Sequence, residues 1–533
     1  MNKTAQKLTT FLVVLVLPAL VIFLTVHFGL RKGTPIKMEY QVRAEMGKKV
    51  DHSEFEILKQ EFKRPQDVTA ACLSCHNKRD DELMASAHWK WERETNLPNG
   101  RGKVNIGKKN LLNNFCMAAD GNNGSCMRCH IGYGWQDKSF DFSDPNNIDC
   151  LVCHDNTNTY KKRKNSAGMP ATAENASAEF PVPDYNYVSQ NVGKPKKENC
   201  GVCHFHGGGG NNVKHGDLEE AMLNCSRSVD VHMAKDGKDM ACNDCHLTEN
   251  HNIKGRAYSV SSENTNRSTC EQCHTSAPHN DKVLDMHNIK VACQTCHIPI
   301  YAKVNPTVMY WDWSVAGKRD ANGNPITEYD NQHKYSYISI KGHFVWNDNV
   351  KPDYAWFNGT ADHYLYEDTI KTIPVKINTL MGSYEDKESK IWPIKIHRGK
   401  QPYDTISKQL VNVKVFANKK GEGAFWEDLR WDTAIYLGMQ YTEREYSGKF
   451  DFVQTEAYWP INHQVSPKEQ TLKCIDCHTR SDEGRLAKLS GFYLPGRDYA
   501  KAADYSGFAI IIISILGVLI HSILRILARK NNL

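Results

Sequence analysis

Eight copies of Cys-x-x-Cys-His restrict the fold of this chain more tightly than any other feature. They are Cys72, Cys75 and His76; Cys126, Cys129 and His130; Cys150, Cys153 and His154; Cys200, Cys203 and His204; Cys242, Cys245 and His246; Cys270, Cys273 and His274; Cys293, Cys296 and His297; and Cys474, Cys477 and His478. Each copy supplies two thiols able to add across the vinyl groups of a haem, followed by a histidine placed to bind its iron. Structural zinc and disulfide scaffolds also pair cysteines, but neither needs a histidine after every second one. Only Cys116 and Cys225 lie outside the repeat. The pattern predicts eight covalent c-type haems, with the sixteen cysteines as attachment points and the eight histidines as proximal ligands.

Between residues 72 and 297 successive motifs begin only 23 to 54 residues apart. Cofactors at that density must pack against one another. With 40% hydrophobic residues, the predicted fold class is a multihaem cytochrome c: mainly short α-helices and irregular loops around a covalent haem core, with a smaller mixed, β-containing region. The expected division is 1–32, an N-terminal anchor or signal; 33–300, seven motifs; 301–470, a haem-free mixed region packed on the haem core; 471–504, the eighth motif; and 505–528, a C-terminal transmembrane helix. Within these, 31–70 reads as a charged stalk, and DELMASAHWKWERE as a short helix carrying His88. YSYISIKGHFVWND reads as strands, with turns at Asn322-Gly323 and Asn358-Gly359.

Residues 11–30 follow Lys3 and Lys7 and are long and apolar enough to span a bilayer. With no clear small-residue cleavage site, an uncleaved anchor is favoured over a removed signal peptide. Phe508 to Leu527 is a second apolar run, and Arg525, Arg529 and Lys530 place its far end in the cytoplasm. The expected location is the periplasmic face of the inner membrane, where covalent haem attachment occurs, with a quinol-linked membrane donor as partner. The formal charge is +6. Eight ferric haems, each with two ionised propionates, bring the total to about −2, so nucleic acid is not an implied partner.

Each iron needs a sixth ligand that the motif does not supply. His88, His215, His232, His251, His279, His287 and His463, all near motifs in polar surroundings, form the candidate distal set. Iron saturated by two histidines carries electrons but binds no substrate, so chemistry needs an exception. The stretch from Cys200 to Leu218 contains Gly207 to Gly210 and then Lys214, and glycines permit close backbone approach to a cofactor. A lysine ligates iron only as the free amine, at a cost of about 4.6 kcal/mol at pH 7 from a free pKa near 10.4, which makes it a displaceable ligand. On residue chemistry alone, a flexible glycine loop with a solvated lysine is the plainer alternative.

Eight motifs, the GGGG…VKHGDL stretch, a cysteine ten residues before the second motif and IKIHRGKQPYD at 394–404 together resemble the octahaem tetrathionate reductase family over residues 70 to 480. The resemblance implies that the second haem, held by Cys126, Cys129 and His130, is catalytic and takes Lys214 as its distal ligand. It further implies that Asn113 and Cys116 lie beside that haem. An acidic residue three before the lysine in the family corresponds to Asn211 here, a departure at a candidate catalytic position, and the C-terminal span departs from the soluble members.

The expected activity is reduction of tetrathionate, a small inorganic oxyanion, to thiosulfate. Lys214 would stabilise the anion, and Cys116 would act as a thiolate or else form a disulfide with Cys225. Reduction of nitrite or hydroxylamine is the alternative enzyme, although no CxxCK motif is present. A membrane-bound electron conduit is the non-enzymatic alternative.

Overall fold

The computed structural model describes Leu20, Phe23 and residues 50–256 and 261–530. The N-terminal span expected over 11–30 lies outside the described residues, apart from Leu20 and Phe23. Two compact units divide the chain, one running through Thr471 and the other from Leu472. The seven-motif segment and the haem-free region thus share one unit, and the eighth motif belongs to the other.

Thioether chemistry asks for two thiols on one side of a short helical turn, and three-residue spacing provides that. α1 (Pro65–Cys75) begins with proline in its first turn, and the Asp67 carboxylate accepts from Arg64 N at 3.1 Å. Its last turn carries Cys72 and Cys75. α2 (Lys197–His204) ends on the fourth motif in the same way. One-turn helices hold the third, fifth and seventh motifs at Leu151–His154, Cys242–Cys245 and Cys293–His297. The expected His88 helix forms in two pieces, Arg79–Met84 and Ala87–Lys90; Ser86 interrupts it by accepting from Trp89 N.

The stalk expected over 31–70 is corrected in its described part. His52–Glu54 and Glu56–Leu58 are 3-10 turns, and Leu58 and Phe62 bury beside Val68, Tyr133 and Val188. Alternating apolar residues, rather than net charge, decide the fate of this segment.

The haem-free region contains a nine-stranded mixed sheet. Its main strands are β1 (Thr307–Asp312), β2 (Gly342–Asn347), β3 (Lys390–Asp404) and β4 (Phe450–Pro460). β3 pairs antiparallel with β4 from Ile394↔Pro460 to Asp404↔Phe450, and parallel with β1 at Arg398↔Tyr310. β1 in turn pairs antiparallel with β2. The hairpin expected in YSYISIKGHFVWND forms, with Ile338 opposite Gly342. Trp311, Trp313, Phe344, Val413, Val453 and Trp459 bury together, and α3 (Trp431–Tyr441) adds Ile435 and Met439. Each buried Val, Phe, Ile or Met contributes roughly 1.5–3 kcal/mol. This apolar core anchors the strands that reach the site.

In the second unit, Cys474–Cys477 forms a single turn and α4 (Lys501–Lys530) is a continuous helix. Within Lys501–Ala528 an 18-residue window reaches mean hydropathy 2.6, and this is the one helix among the described residues long and apolar enough to cross a membrane.

Candidate functional site

A cavity of about 3030 Å3 runs through the first unit, lined by thiols of the first six motifs together with His88, Lys214, His232, His251 and His463. Protein interiors are otherwise close-packed, and pockets for one ligand measure about 300–1,000 Å3, so a void this size with this lining fits several large cofactors.

Histidine spacing makes the same point. Rings pair at 6.2 Å between centroids for His52 and His76, His88 and His204, His246 and His463, and His279 and His297, and at 6.1 Å for His232 and His274. Two metal–imidazole bonds of about 2.0 Å, plus roughly 1.1 Å from each nitrogen to its ring centre, require about 6.2 Å. The residues present therefore fit iron between each pair. His154 and His246 turn Nδ1 to the carbonyls of Gly193 and Lys254, both at 2.8 Å, which fixes the rings and leaves Nε2 for a metal. His251 acts electrostatically on His154 and is itself oriented by Glu82 at 2.8 Å. His287 directs Nδ1 to Val283 O at 2.8 Å.

The ring pairs depart from the expected distal set in one member and add another. The His215 ring packs edge to face on Trp459 at 5.3 Å, and no motif histidine pairs with it at ligand spacing among the described residues. His52, absent from the expected set, stacks on His76 at an interplanar angle of 19°. No local pattern signals His52, which precedes every motif.

Around the second motif, His130 is buried in a box of Trp89, Trp91, Trp135, Phe140 and Phe142. Its Nε2 donates to Trp89 O at 2.6 Å, the reverse of the orientation at His154 and His246. Binding iron through Nε2 therefore requires the ring to leave that carbonyl.

The glycine run is held tight. Gly208 and Gly209 have φ of +87° and +91°, and a Cβ on Gly208 would lie 3.0 Å from Val213. Lys214 follows, with Nζ 4.5 Å from the Trp459 ring centre and 5.5 Å from that of Phe115. Burial, aided by the Lys108 charge, pulls its pKa down to about 7. That removes most of the cost of presenting a free amine.

One strand braces both sides of this site. From β3, the fully buried Lys395 donates to Lys214 O at 2.9 Å, Val213 O at 3.2 Å and Thr307 Oγ1 at 2.5 Å. Two residues on, His397 Nδ1 donates to Asn114 Oδ1 at 3.1 Å, and Asn114 Nδ2 donates to His397 O at 2.7 Å. The resemblance pointed to IKIHRGK; burial shows what the segment does.

Asn113 Oδ1 accepts from Phe115 N and from Cys116 N at 2.7 Å, so it shapes the Cys116 loop. Cys116 Sγ lies 3.4 Å from Gly208 O. Burial pushes the thiol up, against the pull of Lys341 and Lys108, so the resting group is the thiol rather than the expected thiolate. Cys225 is also a free thiol, acted on by Asp230 and Lys197, surroundings it does not share with Cys116. Asn211 is corrected: its Oδ1 accepts from Glu220 N at 2.9 Å as a loop brace, and it does not line the cavity. Glu220, which does, pairs with His206 at 3.1 Å. Sequence reasoning missed Lys108, Lys341 and Lys395, whose neighbours lie far away along the chain.

Thiols of different motifs also meet. The thiols of Cys72 and Cys150, Cys129 and Cys203, Cys200 and Cys242, and Cys270 and Cys293 lie close enough to act on each other's ionisation, and all are free. Cys153 acts on Cys200, and Cys273 on Cys245. The first, third, fourth, fifth, sixth and seventh motifs form a row, and the second joins it beside the fourth.

Comparison with known proteins points to the same cofactor class. The family described as "Cytochrome c bacterial" matches residues 308–481. An uncharacterized protein of Archaeoglobus fulgidus is 25% identical over 250 residues, covering 39% of this chain and 82% of its own length. The crystal structure of octahaem cytochrome c from Shewanella oneidensis superposes with a TM-score of 0.73 at 42% identity, covering 82% of this chain and 95% of that one. With covalent c-type haem as its cofactor, the chain belongs to the octahaem cytochromes c of the tetrathionate reductase family.

Proposed function

We propose that this protein is a periplasmic eight-haem reductase, anchored by α4 and fed by a quinol-linked membrane donor, that converts tetrathionate into two thiosulfates with two electrons. The observation that carries this reading is Lys214, held against Trp459 in the cavity that the second motif also lines. The paired histidines would hold haems for one-electron transfer, and Cys126, Cys129, His130 and Lys214 would hold one whose sixth position exchanges. Near neutral pH Lys214 has both forms within reach: the amine is a metal ligand, and the ammonium is a counter-charge for an anion. Lys395 fixes its backbone, while Asn113 shapes the facing loop that carries the Cys116 thiol.

The test is anaerobic reoxidation of the viologen-reduced holoprotein by tetrathionate, nitrite and hydroxylamine, comparing wild type with Lys214→Ala. Tetrathionate turnover that changes sharply in the variant supports the reading. Turnover of only nitrite or hydroxylamine assigns the site to nitrogen compounds. No turnover, with spectra indifferent to the substitution, assigns the protein to electron conduction.

A further inference from the structure

Three lysines from three separate chain segments surround the Cys116 thiol and the second motif. Lys214 comes from the glycine loop, Lys108 from the loop after the strand Gly102–Ile106, and Lys341 from the residue before β2. All three line the same cavity. A Cβ on Gly209 would lie 3.8 Å from both Cys116 Sγ and Lys341 Nζ, which places those two atoms within 7.6 Å of each other. Lys108 and Lys341 are the charges that act on Cys116, and both also act on Cys126.

None of the three forms an ion pair among the described residues; each rests on an aromatic face. Lys108 lies 4.2 Å from the Trp91 ring centre, Lys341 5.3 Å from that of Trp426 and Lys214 4.5 Å from that of Trp459. A ring face holds an ammonium in place without cancelling its charge as a carboxylate does. The carboxylates that line the cavity nearby are engaged elsewhere: Glu92 with Lys109 at 2.9 Å, Asp217 with His463 at 3.1 Å and Glu220 with His206 at 3.1 Å. Positive charge is thus concentrated where no protein anion answers it, an arrangement that raises the local concentration of anions.

We propose that Lys108 and Lys341 form a charge-selective subsite beside Cys116 that takes a substrate with two negative charges in preference to singly charged or neutral ones. This deepens the reading of the second motif as a reductive site and rests on it. Lys214 serves the reacting centre; Lys341 and Lys108 hold the rest of the anion. Lys341 brings the sheet region into substrate recognition, a role that its lack of any haem motif conceals.

The experiment uses the haem-loaded full chain, with Lys341→Gln, Lys108→Gln and Lys341→Arg beside wild type. Steady-state KM is measured for tetrathionate (two charges), nitrite (one) and hydroxylamine (neutral), and thiosulfate binding to the oxidised protein is measured by calorimetry without turnover. Each Gln variant is expected to raise KM for tetrathionate and Kd for thiosulfate about tenfold. Nitrite should shift less, hydroxylamine should stay within twofold, and Lys341→Arg should restore the dianion. Equal shifts for all three substrates overturn the proposal. So does an unchanged KM ratio with a displaced midpoint potential of the second haem, which assigns the lysines to haem propionates. If wild type reduces no tetrathionate, the proposed function fails, yet thiosulfate affinity and the nitrite-to-hydroxylamine ratio still decide the subsite.

Discussion

Lys395→Met isolates the link between β3 and the glycine loop. The ammonium stem lies at 0% exposure and its Nζ has three acceptors, Lys214 O, Val213 O and Thr307 Oγ1. Methionine matches the length but donates nothing. Thr307 keeps its own donation to Asn212 O and also reaches Val213 O at 3.4 Å, so the loss falls chiefly on Lys214 O. A buried acceptor left without a donor costs about 1–3 kcal/mol. Burial holds the Lys395 pKa well below its usual value, so the wild type bears a desolvation cost that methionine relieves, and the net loss should be about 1–2 kcal/mol. The loss is local to Val213 and Lys214, so on the proposed function it should appear as a Lys214 that leaves the second haem more readily. The assay is the high-spin fraction of the oxidised holoprotein by electron paramagnetic resonance, with thermal unfolding alongside. A larger high-spin fraction and a midpoint lowered by several degrees are expected. A variant that unfolds earlier while its high-spin fraction stays at the wild-type level would refute the positioning role and leave Lys395 a purely structural residue.

Other substitutions separate neighbouring readings. His52→Ala should convert one low-spin haem to high-spin because His52 faces His76 at ligand-pair spacing, whereas His215→Ala should leave the low-spin count unchanged; magnetic circular dichroism distinguishes the two. His363 is 3% exposed, and burial lowers its pKa to about 4 from 6.5. Between those values the unfolded chain binds the proton and the folded one does not, so stability falls as pH drops from 6.5 to 4, by about 3 kcal/mol in all. His363→Asn should flatten that acid limb in denaturant titrations, and an unchanged limb would place the acid sensitivity elsewhere.

The haem-attachment motifs are legible in sequence because thioether formation demands a fixed local spacing, whatever the fold. Distal ligands obey no such rule. His246 meets His463, and His204 meets His88, across stretches that only the folded chain closes. His215 entered the candidate set because it lies near a motif in polar surroundings, but its ring packs on Trp459, which sequence proximity does not report. His52 went unseen because its charged surroundings read as a stalk, whereas Leu58 and Phe62 fasten that segment to the motif helices. Strands and turns in 301–470 followed from alternation, yet the use of β3 did not. A lysine inside an apolar strand reads as an error in the pattern until its carbonyl partners are seen.

Among the described residues, the thiols of the second motif approach the row beside the fourth, through Cys129 and Cys203. On the proposed function, the fourth haem is the neighbour placed to hand electrons to the second. The fourth motif lies in α2, and the glycine loop and Lys214 follow it within eleven residues of His204, counted to His215. Electron delivery and the exchangeable ligand are thus set by one continuous segment, pinned at its far end by Lys395 from β3 and beside its middle by Cys116 Sγ against Gly208 O. A shift of the glycine loop that frees Lys214 must pull on the backbone leading to His204. On the proposed function, ligand release at the second haem and electron supply from the fourth are expected to be linked through this segment, where Gly208 packs closely against Val213 and Phe115.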